Sequence, residues 1–477
     1  MNFMPTPNRD NLRELLAWWV VLFGVLLWSQ WRSKRAAGLP LVYAFGLTMM
    51  HAMAAGVYCM DSYQPRSPLL TQAQYSLTST FTGFYVAVIG FASFVCGCVI
   101  CPVIFRKSRP RLMGYAAAQI TSKLPGTLLL ISLLFFFFIR PIFNRLPSFG
   151  SLGAAGTYLS VLAITLYLYN AYQSGDRAKF AKWLISTTAF PAITVLIMGF
   201  AGYGGNAAGA VWALCLRFYR PRWLGMLAFS LMMYGGLTLF VNYMRERVSI
   251  RESVWGQRDL SSRMTKFLNI FSHFELFDIH SQAHLETVDL RMNQNDLVAR
   301  TVLFIESGRV QIASGGTFYA AAVAWVPRIL WPNKPATGGS GSLVSRYTGI
   351  TFAAGTSVGV GQVLEFYINW KLPCVIIGFI LFGLILTYID QAAGTYWAQG
   401  DLWNTVRWLL PGMGMMQSGG SMTEVVSSVA GNTVFVWVLH HYVFAKYYED
   451  VKSDPGTRTL RGSRGALVAR GSRLGSR

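Results

Sequence analysis

The chain has 477 residues, of which 53% are hydrophobic and only 13% charged, with a formal charge of +21. Soluble domains carry charge on roughly a quarter of their residues, so that class is excluded. The Lys and Arg excess lies in short loops and a tail rather than on one face, and no nucleic-acid partner is expected from it.

In chain order, apolar runs at 15–31, 39–60, 80–105, 126–143, 150–172, 184–202, 207–216, 223–243, 372–389, 406–416 and 425–444 are expected as membrane helices. A crossing of about 30 Å needs about 20 residues, so the seventh and tenth runs are short. The first run ends in Trp28, Ser29, Gln30, Trp31 and Arg32 rather than at a small-residue cleavage site, which reads as a retained helix. The expectation is an all-α fold, a polytopic membrane helix bundle of about 10–12 transmembrane helices with one large periplasmic loop. Its divisions are an N-terminal bundle 1–243, the loop 244–371, C-terminal helices 372–446 and a disordered basic tail 447–477.

Positive charge marks cytoplasmic loops. Arg32, Lys34 and Arg35 mark one, and Arg106, Lys107, Arg109 and Arg111 mark the next but one. Arg177, Lys179 and Lys182, then Arg217, Arg220 and Arg222, continue the alternation. This register needs the short seventh helix and puts residues after Tyr243 outside the cytoplasm. All six cysteines lie in or beside apolar runs, so no disulfide framework is expected. Cys96, Cys98 and Cys101 lack a neighbouring His or acid and read as small packing residues rather than a metal site.

The loop 244–371 contains half of the acidic residues and His273, His280 and His284, more chemistry than a connector needs. Residues 260–276 and 289–305 show apolar spacing suited to amphipathic helices on the membrane surface. Residues 317–330 are apolar but too short to span comfortably. They run into Pro327, Arg328, Trp331, Pro332, Lys334 and Pro335, followed by Gly338, Gly339 and Gly341. Three prolines fix backbone angles, so Arg328 and Lys334 sit on a rigid turn. Two such cations suit a phosphate, and they equally suit a Pro-rich interfacial turn whose cations reach for lipid headgroups.

After a Gly/Ser/Thr-rich stretch come Gly361, Glu365, Tyr367 and Asn369, just before the run at Leu372. The Pro-Arg-x-x-Trp-Pro-x-Lys-Pro run with the following Glu-x-Tyr-x-Asn element resembles the oligosaccharide repeat-unit polymerases, the O-antigen or Wzy-type family. The likeness covers about residues 315–383 by motif and the rest by hydropathy; Trp370 stands where that family usually has Gly. Arg328 with Gly339 and Arg245 with Gly256 match an Arg-x10-Gly spacing described for such loops, a pattern abundant Gly also produces by chance.

The resemblance implies transfer of a growing glycan from a polyprenyl-pyrophosphate carrier to an incoming lipid-linked repeat unit. The partners it implies are the polyprenyl-pyrophosphate-linked oligosaccharide, membrane lipids, a chain-length regulator and a flippase. No cofactor is expected, and no metal, since the first exported loop offers only Asp61. The departing pyrophosphate needs fixed cations, for which Arg328 and Lys334 come first, then Arg300 and Arg251, with Arg245 in the substrate-binding set. The acceptor hydroxyl needs a base, for which Glu365 leads, then His280 and Glu306. Asp289 and Asp296 would favour an oxocarbenium-like centre, or are solvated charges on an amphipathic helix. Trp331, Tyr367 and Asn369 complete the substrate-binding set. A lipid-linked glycan ligase would share these features. A transporter or flippase would show charged or broken helices near the midplane, where this chain has almost no acids.

Overall fold

The computed structural model describes residues 5–33, 35–105, 123–143, 150–219, 223–256, 259–272, 274–326, 331, 333, 340–352 and 358–444. It is an all-α polytopic bundle with no strand among the described residues. Helix α1 is Arg9–Arg32, α2 Leu39–Tyr58, α3 Leu77–Ile104, α4 Leu124–Phe143, α5 Gly150–Gln173, α6 Arg177–Met198, α7 Ala201–Cys215 and α8 Trp223–Trp255. The central segment forms α9 (Leu260–Ser272), α10 (Gln282–Met292), α11 (Gln294–Glu306), α12 (Gly316–Ala324) and α13 (Ser340–Thr348). The chain then continues through α14 (Gln362–Ala398), α15 (Leu402–Met413) and α16 (Met422–Phe444).

Seven described helices, α1, α2, α3, α4, α6, α14 and α16, are long and apolar enough to cross a membrane. The expected spans at 150–172 and 223–243 are helical too, within α5 and α8, while the short runs form α7 and α15 with 15 and 12 residues.

The starts of these helices follow local chemistry. Ser76 and Ser79 form a reciprocal cap at α3, and Ser421 with Glu424 does the same at α16. At α2 the cap comes from far away: Asp390, in the interior of α14, accepts the N–H groups of Ala37, Gly38 and Leu39 at 3.1, 2.6 and 2.8 Å. A buried carboxylate is stable there because three donors and a helix N-terminus face it.

The centre of the bundle is the contact of α3 with α14. A side chain at Gly97 would collide with the Ile380 carbonyl, and one at Gly383 with the Phe94 carbonyl. The two glycines therefore let the backbones approach, the packing that membrane helices use when apolar burial gives no contrast with lipid.

Several boundaries in residues 244–371 differ from the sequence expectation. Helix α8 runs unbroken to Trp255 rather than ending at Tyr243, because residues 244–254 contain no Gly or Pro to stop it. The helix expected over 289–305 is two helices, broken at Asn293 with φ −114° and ψ 74°. Helix α14 begins eight residues before Trp370, then breaks at Trp370 and Lys371. Lys371 has φ 55° and ψ −148°, a backbone region that is essentially restricted to Gly.

Candidate functional site

The helices α10 and α11 wedge between the ends of α2 and α3. Gly83 makes room, since a side chain there would collide with the Asn295 backbone. Polar side chains fill the joint. Asp289 accepts hydrogen bonds from the Tyr58 and Tyr63 hydroxyls at 2.8 and 2.6 Å and from Asn293 at 2.7 Å. Asn293 also donates to Thr80 at 3.0 Å, and Asn295 pairs with His51 at 2.7 Å through its side chain and 2.9 Å to its carbonyl. Asp289 and Asp296 are fully buried, which corrects the reading of both as solvated charges. Burial pushes Asp289 up to about 6 against the opposing hydrogen bonds of Tyr63, Asn293 and Tyr58. Asp296 is also raised by burial, although Arg300 Nε lies 2.6 Å from its Oδ2.

Beside this wedge, three arginines gather. The extension of α8 places Arg247 and Arg251 one turn apart on one face, and the last turn of α10 brings Arg291 within their electrostatic reach. Burial lowers Arg247 to about 10, and the charges of Arg291 and Arg251 add to the shift. Arg291 is lowered by burial and by Arg251 in the same way. None of the three forms an ion pair with a carboxylate among the described residues. Arg251 is held instead by the Gly199 carbonyl at 3.2 Å and by stacking 4.1 Å over Phe200 and 5.2 Å over Trp255. Three like charges within electrostatic reach of one another, none of them ion-paired among the described residues, make a positive site, the arrangement that favours a multiply charged anion. Tyr75 joins the two groups: burial raises it, Asp296 and Asp289 raise it further, and Arg300 and Arg291 pull it back.

A third cluster lies at the break in α14. Asn369, fully buried, accepts from the Gly315 N–H at 2.9 Å and donates to Thr317 at 2.8 Å and the Glu365 carbonyl at 2.7 Å. Tyr367 and Lys371 both reach Glu306 Oε1 at 3.0 Å. Burial pushes Glu306 up, but those two hydrogen bonds together with the charge of Lys371 offset it and hold the carboxyl below its usual value. Below the break, an apolar groove of about 830 Å³ runs between α12, α14 and α16.

No known protein family, curated protein or solved structure matches this chain.

The residues expected from sequence are distributed over these three places. Arg251 is in the arginine trio. Arg300 is bound to Asp296, and Arg245 is paired with Glu275 at 3.3 Å and Glu246 at 3.9 Å, so neither belongs to the trio. Tyr367 and Asn369 are fixed at the α14 break, where they hold α12 and Glu306 in place. Glu365 is 1% exposed, and its Oε2 accepts the Met422 N–H at 2.6 Å, tying α14 to the start of α16. It shares no contact with the arginines. His280 is an exposed turn residue whose N–H donates to Asp278 at 2.8 Å. Trp331 is half-buried. Arg328, Lys334 and His273 lie outside the described residues, as does the tail 447–477.

Sequence reasoning missed Arg247, Arg291 and Lys371. A signal existed for the first, four residues before Arg251 in a stretch without helix breakers. Arg291 had none, because only the wedge of α10 brings it to α8.

Proposed function

We propose that this protein is a polysaccharide polymerase of the inner membrane that joins polyprenyl-pyrophosphate-linked oligosaccharide units on the periplasmic face. The observation that carries this reading is the trio Arg247, Arg251 and Arg291, the first two half-buried and all three without a carboxylate partner among the described residues. In such a transfer the bond between the anomeric carbon and the pyrophosphate oxygen breaks, and negative charge grows on the leaving group. The Arg251 guanidinium, already fixed by Gly199, Phe200 and Trp255, meets that charge without reorganising, which is how a preorganised cation lowers a barrier. Asp289 and Asp296 share the neighbourhood through Tyr75, and a carboxylate there favours the positive charge developing on the sugar. The positive-inside alternation of the loops supports an exported position for this end of the bundle.

The test is polymerisation of purified lipid-linked repeat units by full-length protein in lipid nanodiscs, read as a glycan ladder. Arg247→Gln and Arg291→Gln are each expected to slow ladder formation by about 10- to 100-fold, the size of a lost charge-assisted contact of roughly 1.5–3 kcal/mol. Both variants should insert and elute like the parent. Ladders of parental rate and length from both would sink the reading.

A further inference from the structure

The groove between α12, α14 and α16 has no place in the anion chemistry just described. Phe318, Trp370, Ile377, Leu381, Val426 and Val429 are among its walls, and it offers a water-soluble ligand almost no polar partner. Along α14, past the break, its wall runs from Pro373 to Ile385, a rise of about 18 Å at 1.5 Å per residue. That is more than half of a hydrocarbon core of about 30 Å, so the shape suits a chain rather than a compact molecule. Ile377 and Leu381 are 60% and 53% exposed, so the groove opens sideways, where a membrane's acyl region would lie.

Its upper end is polar in a specific way. Between the wall residues Trp370 and Pro373 stands Lys371, in a strained backbone conformation that residues other than Gly rarely adopt. The side chain is 44% exposed and rests on Glu306, itself only partly buried. An exchangeable surface ion pair is weak, so an arriving phosphate competes for the ammonium on good terms.

We infer that this groove holds the single hydrocarbon chain of a polyprenyl phosphate, with Lys371 at its mouth receiving the phosphate. The inference rests on the reading given above, a transfer between two lipid-linked units, and assigns this groove to the lipid of the unit whose pyrophosphate is not at the arginine trio. One slot bounded by α12 on one side and α16 on the other takes one chain, whereas a bilayer phospholipid brings two. The grip also explains why the break in α14 falls at Trp370 and Lys371: it places a ring on the chain and a cation on the headgroup from adjacent residues.

The test uses full-length protein and native mass spectrometry with three probes: a long-chain polyprenyl monophosphate, the neutral polyprenol and phosphatidylglycerol. The monophosphate is expected to be retained in preference to the other two. Val426→Trp and Ala430→Trp, which fill the groove, should each lower its retention about tenfold, or about 1.4 kcal/mol. Lys371→Gln, which removes the charge at a similar side-chain length, should shrink the preference for monophosphate over polyprenol several-fold and leave polyprenol binding unchanged. If a tryptophan variant misfolds, a photoreactive phenylalanine analogue at position 377 should still crosslink the polyprenyl probe. Retention unaffected by both tryptophans, equal retention of phosphatidylglycerol, or crosslinking to bulk phospholipid alone overturns the proposal. The probe carries no sugar and needs no turnover. Normal groove binding together with parental ladders from the arginine variants would therefore remove the polymerase reading and leave the groove standing.

Discussion

Asp289 faces two tyrosines and an asparagine with no solvent in contact, and that environment makes a prediction about pH. Its folded-state pKa stands at about 6 against 3.8 for an ordinary aspartate. Between these values the folded chain keeps a proton that the unfolded chain has released, so stability is highest below the lower value and falls as pH rises through the upper one. The difference is on the order of 2–3 kcal/mol. Asp289→Asn keeps an acceptor for the tyrosines and removes the titration. Thermal melts in detergent should therefore show the parent losing stability between about pH 4 and about pH 7, and the variant losing less. Equal slopes for the two proteins would mean that Asp289 stays ionised. The same residue shows what sequence hides. An acid at an apolar spacing looks like a surface charge until the tyrosines that receive it, more than 220 positions earlier, are seen to lie against it.

At the level of elements, α9 has a stripe of Leu260, Met264 and Leu268 that remains 64%, 39% and 55% exposed. Its opposite side packs on α8 through Ile270 and Phe267. One face therefore meets protein and the other is left open, and the expectation of an interfacial amphipathic helix predicts that the open face meets the headgroup boundary. Leu260→Glu with Leu268→Glu should leave the fold intact and reduce quenching of a fluorophore on α9 by brominated lipids; unchanged quenching would show that α9 stands clear of the bilayer. The break in α14 gives a second prediction. Lys371→Gly relieves a strained backbone and removes an ion pair worth at most about 1 kcal/mol, so the net expectation is a melting temperature equal to or a few degrees above the parent's. A clear fall would indicate that the ion pair with Glu306 outweighs the strain. Hydropathy located the start of the apolar part of α14 at Leu372 well. It missed the helical segment Gln362–Asn369, because that segment is held by Gln362, Glu365 and Asn369 reaching to distant backbone.

For the whole molecule, the all-α membrane bundle was legible from runs of apolar residues, since a crossing helix satisfies its own backbone and needs little else. The candidate site was legible in part. Arg251 was visible as a loop cation, but its companions depend on how α10 wedges between α2 and α3. Glu365 was expected as a base from the resemblance, its other reading being an acid favoured at a helix start; its bond to Met422 belongs to another helix, 57 residues away. The α3 and α14 contact carries the molecule-wide prediction. Gly97→Leu or Gly383→Leu forces the two backbones apart, and loss of the monodisperse peak in fluorescence-detected chromatography is expected. A parental profile for both would mean that the bundle tolerates a wider spacing at its centre.

The wedge of α10 and α11 has a consequence for biogenesis. His51, Tyr58 and Thr80 reach the bilayer early in synthesis, yet the side chains that satisfy them, Asp289, Asn293 and Asn295, leave the ribosome more than 200 residues later. Through that interval the first helices hold polar groups with no partner, so the insertion machinery or a local water pocket has to shelter them, and truncated chains ending before Asp289 become natural substrates for membrane quality control.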